Sequence, residues 1–325
     1  MKRVDLETLR SSVELPVILA PMFLISNPEM VLKACQAGII GTFPALNART
    51  TDILEEWLKE ISAGHEKLLN EHPGKKIGPW GINFISHRSN KRFLEDLKLI
   101  EKYRPPLVIT SLGDPSPVVK VVHNYGGIVF SDVINISFAK KALEKGSDGL
   151  VLVASGAGGH GGTFNPFAFV HEVRQFWDGP IALAGGMTRG EDILAAELIG
   201  ADFAYIGTRF IPAEESGAFP EYKKMILDSS IEDILYTDAF TGVHGNYLTE
   251  SIKRAGLDPA QLKSKGEVDF SKLQQSGVKA WRDVWSAGQG VGDITKMQTV
   301  QEIVEELKAQ YQAGIERMGS RITIP

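Results

Sequence analysis

The stretch Pro180–Thr208, PIALAGGMTRGEDILAAELIGADFAYIGT, carries one complete strand–helix–strand unit. Pro180–Gly186 (PIALAGG) and Phe203–Thr208 (FAYIGT) are apolar without strict alternation, as parallel strands buried on both faces are. The segment 189–199 between them reads as a helix. Both strands run into glycine, in Ala184-Gly185-Gly186-Met187 and in Ile206-Gly207-Thr208-Arg209. Working back towards the N-terminus, the same pattern recurs at Val17–Met22, Ile39–Ala45, Gly81–Phe84, Leu107–Leu112, Gly127–Val133 and Gly149–Ser155. Helical segments follow these strands around 28–37, 51–63, 90–103, 116–124, 137–145 and 166–177. Strands spaced ~20–40 residues apart with a helix between are βα units joined by right-handed crossovers. Eight of them predict a (β/α)₈ TIM barrel, with a doubly wound open sheet as the rival that periodicity alone does not exclude.

Past Thr208 the pattern changes. Residues 212–285 are more polar and read as a mostly helical insertion over the C-terminal mouth, where barrel active sites lie. Within it, LDPAQLKSKGEVDFSKL (257–273) reads as an exposed connector. Ile294–Met318 reads as one long amphipathic helix that closes the barrel. The expected division is therefore a barrel of residues 1–211 and 286–325, with 212–285 as a substrate or lid domain.

Composition narrows the function. The chain has 325 residues, 43% hydrophobic and 23% charged, with a formal charge of −5. That balance offers no general basic field for nucleic acid. No apolar run approaches the ~18 residues that suggest a membrane span. The opening MKRVDLETLR lacks the apolar core of a secretory signal. The one cysteine, Cys35, excludes a disulfide framework and a Cys-based zinc cluster, and fits a reducing compartment; the expected location is cytoplasmic. No His, Asp and Glu spacing suggests a metal site.

The glycines are the chemical signal. A third cluster, Ser155-Gly156-Ala157-Gly158-Gly159-His160-Gly161-Gly162, follows the sixth strand. Loops after strands seven and eight are the usual phosphate site of such barrels, where backbone amides hold an anion without lysine. The alternative is tight turns only. His160, set in glycine at the mouth, is the candidate general base. Asn83 and Asp132, polar residues near the ends of strands three and five, are candidate ligand contacts. His244 and Asn246 in the insertion are candidate substrate contacts. Ser286-Ala287-Gly288-Gln289-Gly290 reads as a helix-start turn or as a loop touching a cofactor from above.

Taken in order, Ala20-Pro21-Met22, Gly81-Ile82-Asn83-Phe84, Gly158-Gly159-His160-Gly161-Gly162, Gly185-Gly186-Met187, Gly207-Thr208-Arg209-Phe210 and Trp285-Ser286-Ala287-Gly288-Gln289 resemble the nitronate monooxygenase family across nearly the whole chain. The resemblance implies an FMN-binding barrel that oxidises nitronates with O₂ to carbonyl compounds and nitrite. It implies that Gly185, Gly186, Gly207 and Thr208 hold the FMN phosphate and that Ala20, Pro21 and Met22 lie under the ring by backbone contacts. Asn83, Asp132, Gly158, Gly159 and Gln289 would border the flavin, and His160 would face the substrate. Family proteins are often homodimers, but no feature here demands one. Three departures stand out. Val153 replaces the Gln or Asp that many relatives carry five positions before the Gly-Gly-His run. Asp132 stands where some relatives have a basic residue, and an ionised carboxylate there would disfavour an anionic reduced flavin. The arginines that several relatives carry near His244-Gly245-Asn246 are missing. Two other functions remain open: an NAD(P)H-dependent flavin reductase acting on quinones or enoyl thioesters, and a non-redox barrel binding a phosphorylated ligand.

Overall fold

Whether the eight apolar runs close on themselves is decided by the pairing of the first strand with the last. The computed structural model describes residues 6–87, 89–264, 274–275, 278–279 and 281–321. The strands are β1 (Val17–Leu19), β2 (Ile40–Pro44), β3 (Trp80–Ile85), β4 (Leu107–Ser111), β5 (Ile128–Val133), β6 (Gly149–Val153), β7 (Ile181–Ala184) and β8 (Phe203–Ile206). All neighbours are parallel, and β8 pairs with β1 through Val17–Ala204, Ile18–Tyr205 and Leu19–Ile206, so the sheet is a closed barrel and not an open one. Its interior is filled by Ile18, Ile40, Ile109, Phe130, Val151, Ala182 and Phe203. Leu9 of the N-terminal helix α1 (Leu6–Ser11) and Val13, just after it, join that cluster and so plug the end opposite the mouth.

The helices start where the sequence supplies caps. Asn27 accepts from Met30 N ahead of α2 (Pro28–Gln36), which opens on proline. Thr50 caps α3 (Thr51–Glu71), and α4 (Phe93–Tyr103) and α5 (Ser116–Tyr125) follow β3 and β4. Asn135 caps α6 (Ile136–Glu144) and Asn165 caps α7 (Pro166–Arg174). Each side-chain acceptor answers an amide that the first helical turn leaves without a partner. After α8 (Gly190–Leu198) and β8 the chain enters the insertion. There it forms α9 (Pro220–Asp228), the strands β9 (Ile234–Thr237) and β10 (Gly245–Leu248), and α10 (Thr249–Arg254). The insertion thus contains strand as well as the expected helix. β10 pairs antiparallel with β9 on one side and with Gly159–His160 on the other, in the registers Gly245–His160 and Asn246–Gly159. Of the expected connector 257–273, residues 265–273 lie outside the described residues.

The last helix, α11 (Val300–Arg321), begins six residues later than its hydrophobic pattern suggests. Gln289–Asp293 is a 3₁₀ turn, and Thr299 with Glu302 forms a reciprocal cap: Thr299 N donates to the Glu302 carboxylate (2.8 Å) and Glu302 N to Thr299 Oγ1 (3.2 Å). α11 packs on α8 at Gly190, where any Cβ would run into Leu307 O and Tyr311 N. Both obstacles are helix backbone, so neither can swing aside. Gly190→Ala is therefore expected to destabilise the fold by ~3 kcal/mol, read as a lower melting temperature; an unchanged melt would mean that the two helices slide apart freely. Among the described residues no helix is long and apolar enough to cross a membrane. His65 is half-buried, and its Nε2 lies 2.9 Å from Gly78 O, because α3 folds it back against β3's entry.

Candidate active site

The β1 exit is held by a residue that periodicity does not reveal. Buried Asn47 accepts from Leu24 N (2.9 Å) and donates to Met22 O (3.0 Å) and Ser26 O (2.7 Å). Ser26 Oγ in turn accepts from Met22 N (2.9 Å). The Ala20-Pro21-Met22 turn is thus fixed through its backbone, with Leu24 held at a φ of 66°.

Facing it are the glycine ends of β6, β7 and β8, fastened together by the loop that precedes α11. Gly186 N donates to Gly156 O (3.2 Å), as does Gln289 N (2.8 Å), and Gly288 N donates to Thr208 Oγ1 (2.8 Å). This close approach requires glycine: a Cβ on Gly158 would stand 2.9 Å from Gly288 N. Gly186 is different. Its φ is +68°, and a Cβ there would meet no atom within 4 Å. It opens on a cavity of ≈ 920 Å³.

That cavity gathers most of the residues singled out from the sequence: Ala20, Pro21, Met22, Asn83, Asp132, Gly158, Gly159, His160, Gly185, Gly186, Gly207 and Thr208 all line it. Three others are placed differently. Gln289 lies outside the lining; its backbone ties down Gly156 and its side chain covers that glycine from without. His244 is exposed and stacked on Tyr236, with ring centres 5.1 Å apart, because the β9–β10 pairing turns it to the outer surface. Asn246 is buried and donates to Ala157 O (2.7 Å), so it anchors the glycine loop and does not reach the cavity.

His160 is held by the insertion. Its strand pairs with β10, its ring meets the Trp281 ring edge-on at 5.3 Å, and its Nε2 lies 2.8 Å from the buried Thr241 Oγ1. Thr241 gives its hydroxyl hydrogen to Val243 O (3.0 Å), so Nε2 is the donor towards Thr241 and Nδ1 is the ring's acceptor nitrogen. Burial disfavours the imidazolium and pushes the pKa of His160 down to about 4. The ring is neutral at pH 7, the state a base requires.

On the opposite wall Asn83 Nδ2 donates to Ile109 O (3.2 Å) and to Ser111 Oγ, and Ser111 Oγ donates to Asp132 Oδ2. Asp132 Oδ1 is buried without a hydrogen-bond partner. Desolvation raises this carboxyl to about 7, against the smaller opposing effect of the Ser111 bond. Ser111, Thr241 and Trp281 carried no signal in the sequence. Asn47 and Tyr205, which also lines the cavity, carried none either. Thr241 and Trp281 are in the insertion, and only the strand pairing brings them to His160. Among the described residues no group of three His, Cys, Asp or Glu side chains gathers as a metal site.

The family model for nitronate monooxygenases matches residues 7–310. The chain belongs to the nitronate monooxygenase family. It is an oxidoreductase. A probable nitronate monooxygenase of Staphylococcus haemolyticus is 24% identical, over 91% of this chain and 95% of its own length. In structure the chain resembles FabK from Thermotoga maritima, with a TM-score of 0.78 at 23% identity over 98% of this chain and 99% of that one. It also resembles nitroalkane oxidase from Streptomyces ansochromogenes, with a TM-score of 0.76 at 21% identity over 95% and 99%. At these identities the two structures speak for the barrel fold.

Proposed function

We propose that this protein is an FMN-dependent oxidoreductase that oxidises alkyl nitronates with O₂ to carbonyl compounds and nitrite. The observation that carries the reading is the pairing of a glycine cradle with a half-buried neutral imidazole in one ≈ 920 Å³ cavity. The residues present fit a flavin: Gly186 opens on free space, and the orphaned Asp132 Oδ1 lacks an acceptor or donor that a bound ring would supply. In this reading Gly185, Gly186, Gly207 and Thr208 hold the phosphate through backbone amides and one hydroxyl. Ala20, Pro21 and Met22 support the ring, and Asn83 and Asp132 give it polar contacts. Gly158 and Gly159 let the loop come close. Bound FMN supplies the redox chemistry, taking two electrons from the substrate and passing them to O₂. The segment 212–285 serves as the substrate domain, since it fixes His160 and contributes Val243 and Trp281 to the cavity wall. With a neutral nitroalkane, His160 takes the α-proton: the C–H bond breaks, the proton goes to a ring nitrogen, and the electron pair delocalises into the nitro group.

The purified protein is expected to show the visible bands of oxidised flavin, and anaerobic mixing with an alkyl nitronate is expected to bleach them. Bleaching by NADH or NADPH but not by a nitronate would move the assignment to an NAD(P)H-dependent reductase. A protein that takes up no FMN would be a non-redox barrel.

A further inference from the structure

Asp132 lines the cavity, and the proposed chemistry gives it a polar contact but no proton to carry. Its placement is specific. One oxygen is tied to Ser111, whose own oxygen accepts from Asn83, so the carboxyl cannot rotate away. The other oxygen is buried without a partner on a residue that lines the cavity. Burying a carboxyl oxygen unpaired is costly, and a structure tolerates it where a ligand completes the site.

We propose that Asp132 is the second proton-holding group of the flavin couple, taking up one solvent proton together with the two electrons that reduce the ring. This rests on the reading of the cavity as a flavin site. Reduction places negative charge on the ring beside the carboxylate, and a like charge favours the protonated acid. The balance is two electrons and one proton to the flavin, and one proton to the carboxylate, giving a carboxylic acid. Both protons come from solvent. The electrons come from the organic substrate in turnover, or from dithionite in a titration.

The surroundings leave Asp132 to act alone. Tyr205 on β8 is held well above the usual phenol range by burial, with a smaller contribution from Asp132 itself, and stays neutral. His160 is neutral. β3 and β4 present Asn83 and Ser111, which do not titrate. The charged side chains Asp114, Lys141, Glu144 and Lys145 line the outer part of the cavity, and Lys145 is already paired with Asp114 (3.5 Å). Burial by the protein alone already raises the carboxyl to about 7, which lies within the accessible pH range.

The test is potentiometric titration of the flavin-bound protein between about pH 6 and 9, for wild type and Asp132→Asn. The asparagine keeps the size and hydrogen bonds and cannot ionise. The two potential-against-pH curves are expected to run parallel below about pH 7 and to diverge above it. The divergence is one proton per two electrons, a tenfold change in the reduction equilibrium per pH unit, or about 30 mV. Wild type alone gives an independent check: above that pH its reduced-minus-oxidised infrared spectrum should gain a carboxylic-acid C=O band. Parallel curves throughout, or no such band, with flavin bound, would overturn this role for Asp132 and leave the flavin reading intact. Failure of wild type to bind flavin at all would overturn both.

Discussion

His160→Ala is expected to lower turnover of a neutral nitroalkane by about 10²-fold or more with flavin content unchanged. The separation follows from the geometry. His160 lines the cavity from a two-residue strand held by β10, Thr241 and Trp281, and its ring is not among the groups at the ends of β7 and β8 that would grip the phosphate. Removing the ring removes a proton acceptor and leaves the cradle. With a preformed nitronate there is no α-proton to take, so the same variant should show a smaller loss, and mainly in KM. Burial adds a pH signature. A base must be unprotonated, and desolvation has lowered this imidazole to about 4, so its activity is lost only as pH falls through about 4. The kcat/KM for a neutral nitroalkane should therefore show no break from His160 between about pH 5 and 8, where an ordinary solvated histidine titrates. The measurement belongs in the Asp132→Asn background, so that the second ionisable group of the cavity does not contribute. A break near 6.5 would place the ring in water, and unchanged turnover in His160→Ala would remove it from the mechanism.

The barrel was legible because its strands are buried on both faces. Runs such as Gly149–Val153 and Ile181–Ala184 have no polar side to hide, and Asn, Thr and Pro mark where the helices start. The glycine ends were legible for a related reason, since close backbone approach admits no substitute at Gly158. The insertion was harder. Gly245–Leu248 has no strand pattern of its own and becomes a strand by pairing with Gly159–His160, more than eighty residues away in sequence. The same long-range contact puts Thr241 on His160 and turns His244 outward, so the histidine stood out in the sequence and the threonine did not. The state of Asp132 was out of reach altogether. Its charge depends on how little water and how few donors surround it, and composition says nothing of either. From sequence, its effect on a flavin depends on its being ionised, and burial raises the carboxyl to about 7.

Gly186→Val is expected to abolish flavin binding while the barrel remains folded. A Cβ at Gly186 meets no protein atom, so nothing in the empty protein resists the new side chain except backbone strain. With φ at +68° that strain is about 1–2 kcal/mol for an ordinary residue, and more for a β-branched one. A protein of this size survives a loss of that order. A bound phosphate would not survive the branched side chain, because the free space beside Gly186 is the space it would occupy. Gly186→Ala separates the two effects. It carries the ordinary backbone cost, below that of the β-branched residue, with one carbon in place of three, so it should bind FMN weakly where valine binds none. The ratio of visible to ultraviolet absorbance reads occupancy, and far-ultraviolet circular dichroism reads the fold. Melting temperatures should be compared between flavin-free proteins, since loss of a ligand lowers the melt by itself. Gly190→Ala provides the contrast: there the Cβ strikes helix backbone, so flavin is lost only as the fold is lost. Full flavin occupancy in Gly186→Val would put the phosphate elsewhere in the cavity, and the amides of β7 and β8 would then be turns and nothing more.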